Sequence, residues 1–414
     1  MLFVYRSIIN LIFLISPIII LFRLLKKKED PIRFKEKFCI FSKKRVKGNL
    51  IWFHGASVGE ILSVIPLIEK LERKSEIKQI LITSNTLSSS KIISNLKLKK
   101  TIHQFFPIDT NYHSQKFLDY WNPSSAIFID SEIWPNMILN IKKRPIKLIL
   151  LNGRITKKSF NRWKRFTLTA KNLFQKFDIC LASNNETKKY LAFFEAKKIK
   201  YIGNLKFSQV ENETNKLNHK IKKYLKLKTI WCAASTHDTE ELLCATIHKK
   251  LKAKYKNLLT IIIPRHVERK KIIINQLKKL NLNIYIHSSG GEVPNNTDIY
   301  LVDSYGKTKS FFKICKTVFL GGSMIEHGGQ NPIEAARYGC KILHGKNTWN
   351  FKEVYSLLNR YNVTDKIDNL NQMKNRLESI LDKKNTSKNI KNKIDKLGDK
   401  ILRTTLKEIK SFII

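Results

Sequence analysis

Short runs of apolar residues alternate along the chain with longer stretches in which apolar residues recur at helical spacing. The runs lie at residues 50–54, 79–83, 102–106, 126–129, 148–151, 179–182 and 201–202, then at 230–233, 259–263, 283–286, 299–302, 318–320 and 341–343. Helical patterns fill most of the gaps, for example residues 60–73 and 161–177. Short apolar runs between helical segments are typical of a parallel sheet covered on both faces. The pattern therefore predicts an α/β fold.

A polar stretch at residues 211–228 interrupts this alternation, and the alternation then resumes. A chain of 414 residues is long enough for two domains, each with its own core. We predict a first domain over residues 40–210 and a second over residues 211–414. The lysine-rich tail from residue 368 onward has a helical pattern.

The N-terminal segment differs from the rest of the chain. Residues 7–22 carry no charge, and Arg6, Arg23 and the lysines at 26–28 flank them. Counted from residue 1 to 25, the segment reaches the length of a membrane span, so residues 1–28 are predicted to be a membrane anchor. The basic cluster after it favours a cytoplasmic location for the bulk of the chain. A spanning helix and an in-plane helix both remain open, and Pro17 favours the in-plane one.

The formal charge of +45 is unusually high. Nucleic-acid binding, attraction to anionic lipid and a general drift towards Lys, Ile and Asn can each produce it. No recognised nucleic-acid module is present, so we expect no nucleic-acid partner.

The six cysteines include no C-x-x-C pair and most lie in apolar runs, which predicts reduced core residues. Neither they nor the ten histidines show metal-ligand spacing, so no metal is expected.

Two glycine-containing turns carry the most information about function. They are residues 52–60, WFHGASVGE, and residues 321–334, GGSMIEHGGQNPIE. Each follows an apolar run and leads into a helical segment, which brings backbone N–H groups and a helix N-terminus to one point. Such a point suits an anion or a sugar, and ligands of open α/β sheets bind beyond the carboxyl ends of the strands. The sequence therefore predicts two domains facing a central cleft.

Acidic residues follow two strands of the first half. Glu60 lies in the first turn of a predicted helix. Its carboxylate can either stabilise the helix by a favourable interaction with the helix dipole or act as a general base. Glu132 lies at the same rim, in the segment DSEIWPN at 130–136, where Asp130 or Ser131 can alternatively cap a helix.

Basic and polar residues follow other strands. Lys206 ends the first half and can neutralise a phosphate, and Arg265, after Pro264, can bind one with its forked guanidinium. Either can equally be a surface charge. At the second turn, phosphates can meet the helix that begins near Asn331, and Glu334 can accept hydrogen bonds from ribose hydroxyls. The turn matches neither a P-loop nor G-x-G-x-x-G, which makes an ATPase or a dinucleotide oxidoreductase less favoured.

Together, these motifs resemble the Kdo transferases of bacterial lipopolysaccharide synthesis. The resemblance runs from the N-terminal anchor to about residue 353, and seven motifs carry it in order: FHGASVGE at 53–60, DSEIWPN at 130–136, LNGR at 151–154, GNLKF at 203–207, STH at 235–237, PRH at 264–266 and GGS…GGQNPIEAA at 321–336. It implies the GT-B fold, with two Rossmann-like domains and an N-terminal membrane-anchor helix. It also implies inverting transfer of the acidic sugar Kdo from CMP-Kdo to the lipid A precursor, lipid IVA. The implied location is the cytoplasmic face of the inner membrane, in contact with anionic lipid. The resemblance implies no metal or other cofactor.

The resemblance also implies roles for individual residues. Glu60 corresponds to the general base, and Glu132 and Lys206 to groups that stabilise the transition state. The residues implied to hold CMP are Pro264, Arg265, Gly306, Lys307, Thr308, Asn331, Pro332, Ile333 and Glu334. Three positions depart from the family pattern: Asp130 stands where Glu is usual, Lys307-Thr308 replaces an acidic-apolar pair, and Gln330 stands where His is frequent.

Two other functions remain open at this point. One is a different GT-B enzyme that uses a UDP-sugar on a lipid acceptor. The other is a basic membrane-surface or nucleic-acid-binding protein without catalysis.

Overall fold

The computed structural model describes residues 1–209, 217–382 and 386–413. The chain forms two compact units, Met1–Val210 together with Gly398–Ile414, and Glu211–Leu397. The boundary predicted at 210/211 lies outside the described residues. The sequence placed residues 398–414 in the second domain, whereas the structure assigns them to the first unit.

Packing of the last helix on the first unit accounts for this difference. Gly398 lies so close to the backbone of Phe207 that an added Cβ would be 2.5 Å from its carbonyl oxygen. Further along, Nζ of Lys200 lies 2.6 Å from Oε2 of Glu408. The Asn49 amide then donates to the carbonyl of Ile413 at 3.0 Å. These contacts link positions far apart in sequence, so local pattern does not reveal them.

The first unit contains a seven-stranded parallel sheet in the order β3-β2-β1-β4-β5-β6-β7. Its strands are β1 Leu50–His54, β2 Gln79–Ser84, β3 Thr101–Phe105, β4 Ser125–Ile129, β5 Lys147–Gly153, β6 Ile179–Ala182 and β7 Ile199–Tyr201. Every residue of β1, β2, β4 and β6 is buried, as the apolar runs predict.

The second unit repeats this architecture, with a parallel sheet in the order β10-β11-β9-β8-β12-β13-β14. Its strands are β8 Thr229–Thr236, β9 Leu258–Pro264, β10 Ile284–Ile286, β11 Ile299–Leu301, β12 Thr317–Leu320, β13 Lys341–His344 and β14 Thr364–Lys366. Strand β14 was not predicted, because this short edge strand has the sequence Thr-Asp-Lys and no apolar run.

Helices precede, connect and follow the strands of the two sheets. They are α1 Leu2–Leu25, α2 Val58–Glu72, α3 Leu87–Ser94, α4 Asn111–Trp121, α5 Pro135–Ile141, α6 Lys157–Lys164, α7 Thr167–Phe174, α8 Asn185–Phe193, α9 His219–Lys226, α10 Glu240–Lys252, α11 Lys270–Lys278, α12 Thr308–Phe312, α13 Ile333–Arg337, α14 Lys352–Arg360, α15 Leu370–Leu381 and α16 Thr386–Ile413. The helix predicted at 161–177 is instead the pair α6 and α7, because Phe166 between them has a non-helical backbone, with φ −132° and ψ 48°.

The α/β fold class is confirmed, since each unit is a parallel sheet with connecting helices. The six cysteines are buried and free, which confirms their placement in the core. Among the described residues, α1 is long and apolar enough to cross a bilayer, a test that an N-terminal signal sequence also passes.

Candidate active site

Adjacent strands of the first unit bring its candidate carboxylates to one edge of the sheet. Strand β1 pairs with β4 in parallel, with His54 opposite Phe128, so the two strands end side by side. Glu60 lies in the first turn of the helix that follows β1, and Glu132 lies three residues beyond the end of β4.

Glu60 closes a capping box at the start of α2. Its Oε2 accepts from the backbone N–H of Ala56 at 2.7 Å, and its Oε1 accepts from the hydroxyl of Ser57 at 2.8 Å. The N–H groups of this turn therefore already bind a carboxylate of the protein itself. Capping at this position is thus real, and it fixes where the carboxylate lies.

The surroundings of Glu60 also make it a stronger base. Partial burial raises its pKa above the ordinary value, and the negative charges of Glu132 and Asp130 raise it further, while the hydrogen bond from Ser57 opposes the shift. A carboxylate with a raised pKa holds a transferred proton more firmly. Glu60 is therefore both a helix cap and a candidate general base.

Glu132 is held in the opposite electrostatic state. Burial alone would raise its pKa, but the polar contact with His54 and the hydrogen bond from Trp134 outweigh burial and lower the pKa. The Trp134 indole donates to Oε2 at 2.9 Å, and Nε2 of His54 lies 3.3 Å from the same atom. The His54 approach is off the ideal hydrogen-bond direction, and this nitrogen has no other partner among the described residues. Glu132 therefore stays negative beside Glu60.

His54 was not singled out from the sequence, although it belongs to the first motif. Its ring is fully buried, and burial lowers its pKa, so the imidazole is neutral at neutral pH. Its Nδ1 lies 2.9 Å from the hydroxyl of Thr83, which accepts from the indole of Trp52 at 2.8 Å. This chain of contacts orients Nε2 of His54 towards Glu132.

We expect replacement of His54 by Leu to lower kcat by up to about 10-fold, because Glu132 loses the 3.3 Å polar contact with Nε2 of His54, and a polar contact of this kind is worth roughly 0.5–1.5 kcal/mol. The pKa of Glu132 should rise, since the contact with His54 lowers it. The acid side of the pH–rate profile measures this shift. His54→Gln retains a donor and should recover part of the rate, whereas an unchanged profile in His54→Leu would rule out this role.

Lys206 lies beside a third carboxylate. Its Nζ is 3.6 Å from Oδ2 of Asp130, whose backbone has a left-handed φ of 60°. Burial raises the pKa of Asp130, while Lys206 and Arg154 oppose that shift. Asn152 positions the segment that carries Lys206, because its Oδ1 accepts from the N–H of Leu205 at 2.9 Å. One lysine and three carboxylates thus meet at this edge of the sheet.

In the second unit, the glycine turn after β12 binds an internal carboxylate. The fully buried Glu240 accepts from the N–H of Gly322 at 2.7 Å and from the N–H groups of Ser323 and Met324 at 3.1 Å each. It also accepts from the N–H of His237 at 3.0 Å. The N–H groups that the sequence offered to a ligand anion at 322–324 are therefore occupied by Glu240.

Next to this turn, the structure brings three of the sequence motifs together. The ring of His237 lies 4.1 Å from that of His327 and 5.9 Å from that of His266, measured between centroids. Burial, together with the nearby positive charges of His327, His266 and Arg265, lowers the pKa of His237 to about 4. The amide of Gln330 lies 3.2 Å from Nε2 of His237. Clustered ring N–H and amide donors of this kind can bind a phosphate. His237 and His266 belong to the sequence motifs STH and PRH, but none of the three histidines was predicted as a site residue.

Arg265 and Pro264 lie at the end of β9 beside this cluster. Pro264 is buried opposite Thr236, while the side chain of Arg265 is exposed. The N–H of Arg265 donates to the carbonyl of Thr236 at 2.9 Å, which fixes the backbone below the exposed guanidinium.

The remaining predicted residues lie at the starts of two short helices. Gly306, with φ 77°, and Lys307 precede α12, which begins at Thr308. Helix α13 begins at Ile333, after Asn331 and Pro332, and has only five residues. The side chains of Pro332 and Ile333 are buried, so they can shape a site but not reach into it.

An ion pair connects these two segments. Nζ of Lys309 lies 3.3 Å from Oε1 of Glu334, and the Asn331 side chain accepts from the N–H of Ile333 at 3.2 Å. Glu334 is partly exposed at this point. Lys309 was not a predicted site residue, because its approach to Glu334 depends on the packing of α12 near α13.

Comparison with known proteins places the whole chain in a family. A sequence model described as 3-Deoxy-D-manno-octulosonic-acid transferase (kdotransferase) matches residues 32–209. The 3-deoxy-D-manno-octulosonic acid transferase of Rickettsia bellii is 33% identical over 388 residues, covering 92% of this chain and 91% of the relative. The enzyme of the same name from Haemophilus influenzae is 31% identical over 315 residues, covering 74% of this chain and 73% of the relative.

Among solved structures, UDP-GlcNAc 2-epimerase from Neisseria meningitidis aligns with a TM-score of 0.54 at 13% identity, covering 86% of this chain and all of that one. That likeness supports the GT-B-like α/β fold alone. The sequence relatives, in contrast, share most of their length with this chain. The chain therefore belongs to the 3-deoxy-D-manno-octulosonic acid transferase family, the glycosyltransferases that transfer Kdo in lipopolysaccharide biosynthesis.

Proposed function

We propose that the chain transfers Kdo from CMP-Kdo to lipid IVA, with inversion at the anomeric carbon. The observation that carries this proposal is the group of Glu60, Glu132, Asp130 and Lys206 at one sheet edge, in which Glu60 has a raised pKa and Glu132 a lowered one. Two carboxylates with opposed pKa shifts are typical of a site that separates a proton acceptor from a charge stabiliser.

In the proposed reaction, the bond between the anomeric carbon of Kdo and the CMP phosphate oxygen breaks, and its electron pair leaves with CMP. An acceptor hydroxyl forms the new bond from the opposite face, and Glu60 takes its proton. The sugar passes through an oxocarbenium-like state that gains positive charge. The negative Glu132, beside Glu60, stabilises that charge more in the transition state than in the ground state.

The departing CMP gains negative charge, which the basic groups are proposed to offset. In the second unit, Arg265 beside His266 is proposed to supply positive charge and N–H donors for it. In the first unit, Lys206 beside Asp130 is proposed to stabilise the transition state. We propose that these groups act without a metal ion or other cofactor. Full activity in the presence of a chelator such as EDTA is the expected result.

The remaining CMP contacts are proposed at Pro264, the turn at Gly306, Lys307 and Thr308, and the segment from Asn331 to Glu334. Glu334 can accept hydrogen bonds from the ribose hydroxyls if it releases Lys309, to which it is paired at 3.3 Å. The nucleotide would then pack against the surface that the buried Pro332 and Ile333 support.

A nucleotide competition tests the donor. We expect CMP to raise the melting temperature of the protein and to inhibit transfer, because the proposed site is specific for cytidine, while UDP at the same concentration does neither. Arg265→Ala should lose most of the CMP effect, and Lys271→Ala, an exposed cation on the following helix, should keep it. Protection by UDP but not CMP would instead identify an enzyme that uses a UDP-sugar.

We further propose that the enzyme works at the cytoplasmic face of a bacterial inner membrane. The acceptor is a lipid, α1 is apolar over its length, and the charge of +45 favours a surface of anionic lipid.

A further inference from the structure

The first turns of α1 are fixed to the first unit by polar contacts. The hydroxyl of Tyr5 donates to Oδ2 of Asp109 at 2.7 Å, and Nε of Arg6 donates to Oδ1 of Asn136 at 2.9 Å. Asp109 is almost fully buried under this contact and also accepts from the backbone N–H groups of Asn136 and Met137. The N-terminal end of α1 therefore completes a buried polar network of the first unit.

Further contacts continue along the same helix to its other end. The ring of Phe13 lies 4.8 Å from that of His113, measured between centroids. Near the C-terminal end, Nε of Arg23 donates to the buried Glu29 at 2.7 Å, and Glu29 also binds Lys37 at 2.7 Å. One face of α1 thus contacts the first unit from its first turn to its last.

These contacts conflict with a helix that crosses a bilayer. Tyr5 and Arg23 are 18 positions apart, or roughly 27 Å along a helix, which is nearly the thickness of a hydrocarbon core. If α1 crossed the membrane, one of these residues would lie on the far side, away from the first unit. Asp109 would then lose the hydroxyl that covers its carboxylate.

The opposite face of α1 is apolar and exposed. Twelve large apolar side chains of the helix are exposed on the structure, among them Leu14, Phe22 and Leu25. A continuous apolar face of this length is uncommon on a soluble protein and marks an interaction surface. Three exposed lysines follow directly at 26–28, and the whole chain has a charge of +45, so the surroundings favour anionic lipid over a second copy of the same basic chain.

We infer that α1 lies in the plane of the membrane surface, with one face docked on the first unit and the other inserted among the lipids of a single leaflet. This inference rests on the proposed membrane attachment and refines it. Asn136, which receives Arg6, is the second residue of α5, and α5 follows directly after Trp134. Since Trp134 binds Glu132, docking of α1 holds the acidic edge at a fixed position relative to the lipid surface.

Vesicle binding tests the lipid-facing side. Leu14→Asp places a charge on the exposed face, where the residue is 71% exposed in the protein alone, so folding should be unaffected. We expect this full-length variant to bind vesicles that contain phosphatidylglycerol at least ~10-fold more weakly than the wild type, because the charge must enter the lipid. The matched variant Leu168→Asp, at an 86% exposed leucine elsewhere in the first unit, should bind like the wild type.

The position of the N-terminus separates an in-plane from a spanning helix. Epitope tags at the two ends of the chain should both be digested by protease added to inverted inner-membrane vesicles, and both be protected in intact spheroplasts. Digestion of the N-terminal tag alone in spheroplasts would overturn the in-plane arrangement while leaving membrane attachment and Kdo transfer intact. A wild-type chain that stays in the soluble fraction, or that buries this face in a dimer, would overturn the assignment to lipid.

Discussion

Replacing Glu60 by Gln is expected to lower kcat for Kdo transfer by about 10²- to 10⁴-fold, the range for loss of a positioned general base. The amide has nearly the shape of the carboxylate but cannot accept the acceptor's proton. Gln also occurs at this position of a capping box, so α2 should still begin at Val58 and the protein should remain folded. CMP affinity, measured by calorimetry, should be unchanged because it belongs to a different step.

Ser57→Ala provides the matched control, since it removes a hydrogen-bond donor and leaves the carboxylate. That donor lowers the pKa of Glu60, so its loss should raise the pKa further. Because the base must be deprotonated, the acid limb of the pH–rate profile should move to higher pH, while the rate at alkaline pH is retained. If Glu60→Gln transferred Kdo at the wild-type rate, Glu60 would not be the base.

Replacing Glu240 by Gln is expected to destabilise the second unit by about 2–6 kcal/mol. Four backbone N–H groups converge on the two oxygens of this buried carboxylate, from His237, Gly322, Ser323 and Met324. The Gln side chain keeps one oxygen, which can accept from two of the backbone N–H groups, but its NH2 group faces the other two. Each buried donor left unsatisfied costs roughly 1–3 kcal/mol. Chemical denaturation, followed by a probe in the second unit, measures the loss.

Glu326→Gln is the control for this substitution, because Glu326 is exposed in the same loop. Its effect should stay within about 0.5 kcal/mol of the wild type, as is usual for surface positions. We also expect Glu240→Gln to weaken CMP binding, since the carboxylate orders the turn beside His237. Wild-type stability in Glu240→Gln would mean that the glycine turn holds its shape without the carboxylate.

The fold was largely predictable because buried parallel strands are apolar in themselves. The strand at Leu50–His54 is such a run, and its bounds match the prediction. The edge strand Thr364–Lys366 was missed because only one of its residues is buried. Assignment of Gly398 and the residues after it to the first unit depends on contacts with Phe207, which no local pattern records.

The candidate site was predictable in its positions but not in its connections. The sequence presented helix capping and proton transfer by Glu60 as alternatives, whereas its capping bonds coexist with a raised pKa. Glu240 looked like an ordinary first-turn residue, because the amides it binds are more than 80 positions away in the chain. His54 was hidden inside an apolar strand, and only the fold shows that its ring faces Glu132.

The most direct measurement is mass spectrometry of lipid IVA after incubation with CMP-Kdo and the purified full-length protein, wild type and Glu60→Gln in parallel. We expect the wild type to convert the lipid to a product heavier by one or more Kdo units and to release CMP, and the variant to leave the lipid unchanged while still binding CMP. Unmodified lipid IVA with the wild type, in the presence of intact CMP-Kdo, would contradict the proposed donor and acceptor.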